Sequence, residues 1–408
     1  MRIQAFQGLR PDPERAPEVA SLPYDVVSTE EARELAAGNP LSFLHVVRAE
    51  IDRPPDSDPY ADAVYAKARE NLERLQELQV LVREPEPCLY IYELEMLGRT
   101  QRGLVTVCHI GDYENDVIKK HEKTRKAKED DRTKLNATLS AHPGPVFLTY
   151  RDQPEINALV NRVCEEAPFI NFTAEDSVRH TIWRVPGGGD FPHSFSSVPV
   201  AYVADGHHRS ASAARVGGER RANNPSHTGE EPYNWFLAVA FPASELNILA
   251  YNRVVFDLNG LSADDFLKQL EASEHLAEVS EEAAAVPAQT GEVCFYLDGK
   301  WRSLRFEAIH TDDPAARLDV ARLQDNVLAP ILGIGDPRTD ARIDFVGGIR
   351  GTEFLEKQVD SGKAAIAFSM HPVTVDELMA IADAGKIMPP KSTWFEPKLR
   401  SGLFVHTF

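Results

Sequence analysis

The stretch "VPVAYVADGHHRSASAARVGG" (residues 198–218) decides the reading of the fold. Residues 198–204 are apolar enough to form a strand buried on both faces. An alanine-rich helix follows, which the pair Gly217-Gly218 is expected to stop. Between strand and helix stand Asp205, Gly206, His207, His208 and Arg209: an acid, a turn, two imidazoles and a guanidinium. A strand running into a helix leaves backbone N–H groups pointing at the corner, and the helix dipole adds partial positive charge. Such a corner is a common seat for phosphate. Gly206 lets a ligand approach the backbone, and Arg209 can grip phosphate oxygens bidentately. Asp205 alone would repel phosphate, so it calls for a Mg²⁺ bridge or a hydroxyl to orient. A capped helix start with two surface histidines is the plain structural alternative. A zinc site is disfavoured, because adjacent helical residues diverge by about 100°.

Working outward, the composition sets limits. The chain has 408 residues, too many for one ordinary core. Its 63 acids against 44 bases give a net charge of −19, which argues against nucleic-acid or anionic-membrane partners. No apolar run approaches the ~18 residues that span a bilayer, and residues 1–19 lack the apolar region of a signal peptide. Cys88, Cys108, Cys164 and Cys294 are widely spaced, as expected of buried free thiols in a cytoplasmic protein.

Mixed α/β structure is expected throughout, in three portions: 1–105, a core at 106–256, and 257–408. Ser28 or Thr29 caps a helix, "SFLHVVRAEI" (42–51) reads as a strand, and 60–82 as an amphipathic helix with Ala63, Ala66, Leu72, Leu75 and Leu78 at helical spacing. "PCLYIYELEML" and "LVTVCHI" are expected to pair as a hairpin through "GRTQRG". A helix over 153–166 follows, and "GGGDFPHSFSS" (187–197) reads as a loop. "WFLAVAFP" and "LNILAYNRVVF" look like paired strands. Beyond residue 256 come helices at 262–272, 319–332 and 374–384, and a two-strand element around "EVCFYLDGKWRSLRF".

Three further stretches carry candidate chemistry. Residues 119–134 hold eight Lys or Arg against four Asp or Glu, and are either a solvated face or a place to hold an anion. Within them, "HEKT" sets Glu122 among lysines, where it would stay ionised and accept a proton from a hydroxyl. His121, Lys123, Thr124 and Arg125 are candidate phosphate contacts. "MPPKSTWFEPKL" (388–399) is an extended segment in which Lys391, Ser392 and Thr393 are candidate pocket-lining residues. Its alternative is a strap anchored by Trp394 and Phe395. Tyr24 and Asp25 of "PYD" are further candidates for lining the pocket, with a purely structural role as the alternative. The chain has no P-loop, dinucleotide fingerprint, nucleophile elbow or zincin motif.

"LPYDVVS", "HEKT" before "KEDDR", "ADGHHR" and "MPPKSTWFEPKLRSGL", in that order, resemble the bacterial and archaeal family catalogued as domain of unknown function 1015. More distantly, the core resembles the ParB/sulfiredoxin-like fold, especially its free-serine kinases. That resemblance implies a central mixed sheet with helices, flanked by N- and C-terminal α/β portions. It implies Glu122 as base, and Asp205, His207, His208 and Arg209 as the phosphate and metal corner. The expected activity is therefore a Mg²⁺- and nucleotide-dependent phosphotransferase, using ATP or ADP on a small hydroxyl compound, with free serine first. A phosphatase on phosphoserine-like substrates and a non-catalytic nucleotide-binding scaffold are the alternatives. The smaller serine kinases have no counterpart to the flanking portions here.

Overall fold

The computed structural model describes residues 1–280 and 282–408. The chain divides into two units: Met1–Leu246 together with Pro397–Phe408, and Asn247–Glu396. The first is built on a nine-stranded mixed sheet. Its strands are β1 (Ile3–Gln4), β2 (Cys88–Met96), β3 (Arg99–His109), β4 (Ile118–Lys119), β5 (Val146–Tyr150), β6 (Ile170–Thr173), β7 (Arg179–Pro186), β8 (Ala201–Asp205) and β9 (Trp235–Pro242). They lie in the order β4-β8-β5-β9-β3-β2-β7-β6, with β1 paired to β3. β8 and β9 are buried almost throughout, which explains their continuous apolar sequences. The expected hairpin is β2–β3, turning at Leu97-Gly98, so "RTQR" belongs to the strand.

Three helices matter most for the site: α1 (Asp62–Glu77), α2 (Lys126–Leu139) and α3 (His207–Asn223). α1 buries Val64, Tyr65, Ala68, Leu72 and Leu75. Of the expected stripe only Leu72 and Leu75 face the core, while Ala63, Ala66 and Leu78 are exposed. α2 packs on α1 and on α3. Small α3 side chains allow that approach, and Asn136 Nδ2 donates to the buried Ser212 Oγ at 3.1 Å. The capping box at Ser28 and Glu31 is present. Residues 397–408 complete this unit: Ser401 bridges Ser21, Val405 bridges Leu9, and His406–Thr407 pairs with Ala141–His142.

The second unit carries an antiparallel sheet of β10 (Tyr251–Val255), β11 (Leu276–Ser280), β12 (Glu292–Leu297), β13 (Lys300–Phe306), β14 (Ile343–Gly347) and β15 (Ile366–Met370). Its order is β11-β13-β12-β15-β10-β14, with Phe266, Phe295 and Phe368 buried. Among the described residues no helix is long and apolar enough to cross a membrane.

Several elements differ from expectation for identifiable reasons. Residues 42–51 are not a strand but the helical turns Leu44–Val47 and Ala49–Asp52. Phe43, Leu44, Val46 and Val47 are all buried in the helical layer with α1, and so short a cluster of apolar residues, broken only by His45, does not separate helix from strand by its period. Residues 191–196 are helical rather than loop, with Phe191 and Phe195 one turn apart in the core. Gly217-Gly218 does not stop α3, which runs on to Asn223. A Cβ at Gly217 would lie 2.4 Å from Ile110 Cδ1 and 2.6 Å from the Tyr233 carbonyl, so that glycine serves close packing. "WFLAVAFP" and "LNILAYNRVVF" are not partners: β9 lies between β3 and β5, and β10 between β14 and β15. The division expected at 105/106 falls within β3.

Candidate functional site

Strand polarity assembles the corner. β4 and β8 run parallel, Ala201 opposite Ile118 and Tyr202 opposite Lys119, so both chains leave the sheet at the same end. The segment 120–125 therefore emerges beside Asp205-Gly206. β5 is antiparallel to β8, with Asp205 opposite Phe147, which brings the preceding His142–Pro145 turn to that same end. At Gly206 the backbone takes φ +95°, and α3 starts immediately. A Cβ there would sit 3.1 Å from Arg209 Nε in a backbone region that L residues rarely adopt. The first-turn N–H groups of α3 have no intrahelical acceptor, and Ser210 is the first to close a bond back, to Gly206 O at 2.9 Å.

Asp205 Oδ1 accepts the Gly206 N–H at 2.7 Å, and Oδ2 accepts from Lys398 Nζ at 3.2 Å. Burial works against its charge, but the Lys398 ammonium and the Arg209 guanidinium outweigh burial and hold the carboxyl far below the usual range. Arg209 donates to Pro145 O at 2.5 Å and stands 3.6 Å from Asp25 and 3.8 Å from Asp205. Its other face, with Tyr24, Arg132 and His142, lines a cavity of about 20 Å³, room for roughly one water. Tyr24 is buried under the Arg132 guanidinium, which lies 4.1 Å from its ring centre.

The histidines divide by environment. His121 and His207 are buried, with ring centres 4.5 Å apart at 86°. Desolvation pushes His121 down to about 4 and His207 well below the ordinary imidazole value, so both are neutral at pH 7. His208 Nε2 accepts the Arg125 N–H at 3.0 Å, which places its own proton on Nδ1 and ties the 120–125 loop to α3. Glu122, with 45% of its side chain exposed, has Oε2 3.8 Å from His207 Nδ1. Thr124 Oγ1 donates to Glu129 at 2.7 Å, and Lys123 and Arg125 are exposed. Much of the basic block is matched by acids: Lys126 with Asp130, Arg132 with Asp131, Lys134 with Asp62.

Several buried nitrogens here have no hydrogen-bond partner among the described residues: His121 Nδ1, His207 Nε2 and Arg209 Nε, and both ring nitrogens of His142 beside Arg209. Buried polar groups are nearly always satisfied, so a gathering of such orphans around one helix terminus sets this corner apart. Among the described residues no group of three or more His, Cys, Asp or Glu is arranged to hold a metal. Asp205 has lone pairs to spare on both oxygens, enough to share a Mg²⁺ carried mainly by phosphate and water.

The structure thus gathers His121, Glu122, Asp205, Gly206, His207, His208, Arg209, Tyr24 and Asp25. Lys391, Ser392 and Thr393 belong to the second unit, where Lys391 O accepts from Arg253 at 3.1 Å and Ser392 Oγ donates to Pro389 O at 2.7 Å. The expected anchoring by Trp394 and Phe395 takes the form of a short pairing with Ile248–Leu249. Sequence reasoning missed Lys398 and the His142–Pro145 turn. Lys398 lies within the "PKLRSGL" run, but its partner is 193 residues away.

The class defined by these features is a mixed α/β protein with a strand–glycine–helix corner faced by a carboxylate. Residues 3–321 match the family described as "Protein of unknown function (DUF1015)", and the chain belongs to that family. No curated protein matches it. Among solved structures it is similar to a free serine kinase variant in complex with AMP, at 13% identity and TM-score 0.38, covering 71% of this chain and 87% of that one. A conserved hypothetical protein from Pyrococcus furiosus aligns at 14% identity and TM-score 0.37, covering 73% and 93%. C-terminally truncated SbnI from Staphylococcus aureus aligns at 11% identity and TM-score 0.38, covering 73% and 85%.

Proposed function

We propose that the protein is a nucleotide-dependent phosphotransferase acting on the hydroxyl of a small molecule, with L-serine the first acceptor to test. The observation that carries the reading is the placement of Glu122 3.8 Å from His207, at the mouth of a helix terminus ringed by orphaned nitrogens. The N–H groups of His207, His208 and Arg209 receive phosphate oxygens, and the helix dipole favours their charge. Neutral His121 and His207 supply polar contacts without the cost of a buried imidazolium. Glu122 takes the acceptor's hydroxyl proton. That oxygen bonds to phosphorus as the bond from phosphorus to the departing nucleotide breaks, a reaction governed by positioning and charge neutralisation. Asp205, fixed by Lys398 and Gly206, would share a Mg²⁺ with the phosphates, and the ion would neutralise their charge.

The test is to incubate the protein with ATP or ADP, Mg²⁺ and a panel of amino and hydroxy acids, and to follow products by ³¹P NMR. A phosphomonoester is expected from one acceptor, and Glu122→Gln is expected to lower its rate by a factor of about 10²–10⁴ while nucleotide still binds. No product from any acceptor, or a Glu122→Gln protein as active as wild type, sinks the reading.

A further inference from the structure

The second unit contains a cavity of about 340 Å³ in which a buried cation meets an apolar wall. That volume falls within the range of small-ligand pockets. The cation is Arg253 of β10, only 3% exposed. Its Nη1 donates to Tyr251 O, its Nη2 donates to Lys391 O at 3.1 Å, and the guanidinium sits 5.5 Å from the Phe345 ring centre. Among the described residues it has no carboxylate partner, unlike buried Arg132 and Arg209 of the first unit. Two of its five N–H groups are thereby used, both on neutral carbonyls. Burial lowers its pKa only to about 10, so it remains a cation at neutral pH. A buried charge is ordinarily paired, and neutral carbonyls do not replace an anion.

The rest of the cavity says what kind of anion. Val320, Leu328, Ile343, Phe345, Pro389 and Pro390 form apolar walls. Gln324 and Leu328 bound a π-helical turn, a rare geometry often found at functional sites. Gln324 Nε2 donates to Ile334 O at 2.7 Å and to Gly335 O at 3.2 Å, holding the 335–338 loop in place. On that loop Arg338, with 51% of its side chain exposed, ion-pairs with Asp336 at 2.8 Å. One unpaired buried cation with an acid nearby suits a single negative charge better than a dianion. We infer that this cavity is a binding site for a small monocarboxylate with an apolar body, held by a guanidinium–carboxylate pair at Arg253. The planar guanidinium has N–H groups left for a bidentate grip on two carboxylate oxygens. The apolar walls take the remainder of the ligand.

The experiment is calorimetric titration of the full chain with sodium benzoate, with benzamide and inorganic phosphate as controls. Benzoate is expected to bind saturably and benzamide at least tenfold more weakly. Arg253→Gln should weaken benzoate at least tenfold. Arg338→Glu, a substitution at a half-exposed site that will not disturb the core, should weaken it severalfold and settles the matter if Arg253→Gln does not fold. Absence of saturable benzoate binding, equal binding of benzamide, or unchanged binding in Arg338→Glu overturns the inference. Phosphate binding more tightly than benzoate overturns the assignment to a monocarboxylate.

Discussion

Replacing Lys398 by Met removes the partner of Asp205 and leaves its carboxylate at the corner. At 3.2 Å and an effective dielectric near 20, the pair's Coulomb attraction is about 5 kcal/mol. Part of that only offsets desolvation. Lys398 is 11% exposed and Asp205 28%, and Arg209 still stands 3.8 Å from Asp205 in the variant. The net loss should therefore be about 2 kcal/mol, less than the ~3–5 kcal/mol typical when a fully buried pair is broken. The assay is urea unfolding at pH 7, followed by fluorescence of the buried Trp183 and Trp235, for wild type, Lys398→Met, Asp205→Asn and the double variant. A coupling energy of at least ~1 kcal/mol is expected from this cycle. Because the Asp205 pKa is depressed, its contribution is complete above about pH 4 and is lost as pH falls toward the folded-state value. Additive single variants, each costing under ~0.5 kcal/mol, would refute the claim that Lys398 holds Asp205 in its charged state.

Three further outcomes are expected. Gly206→Ala forces a Cβ against Arg209 at φ +95°, so it should cost about 1–3 kcal/mol and abolish ATP binding, measured by denaturation and calorimetry. His121, lowered to about 4, and His207, lowered further, contribute stability that is present above about pH 6.5 and lost as pH falls toward 4. His121→Gln should remove close to one proton, or ~1.4 kcal/mol per pH unit, from the stability slope in that window, and an unchanged slope contradicts the buried neutral imidazole. Ser28→Ala removes the capping box and should cost about 1 kcal/mol, readable by the same denaturation, with no effect on nucleotide affinity.

The strand Ala201–Asp205, the glycine and the helix beginning at His207 were legible because each residue's role there is local. A continuous apolar run, a residue at positive φ and a polar first turn depend only on near neighbours in sequence. Helix α1 as an element and the β2–β3 hairpin were legible for the same reason, but the buried face of α1 is set by Val64, Tyr65 and Ala68 rather than Ala63 and Ala66. The Gly217-Gly218 stop was misread because the close approach of Tyr233 is invisible in sequence and outweighs the intrinsic helix-breaking tendency of glycine. Residues 42–51 were misread because so short a cluster of apolar residues takes its conformation from the layer that buries it.

What the sequence determined by itself was the chemical inventory of the corner and the class of fold that presents it. Only the tertiary structure decided how the inventory is arranged. The parallel pairing of β4 with β8 sets Glu122 beside His207, and the return of residues 397–408 to the first unit brings Lys398 to Asp205. Both facts are long-range: strand polarity and a partner 193 residues distant follow from how burial is shared across the whole unit, and no local pattern encodes them.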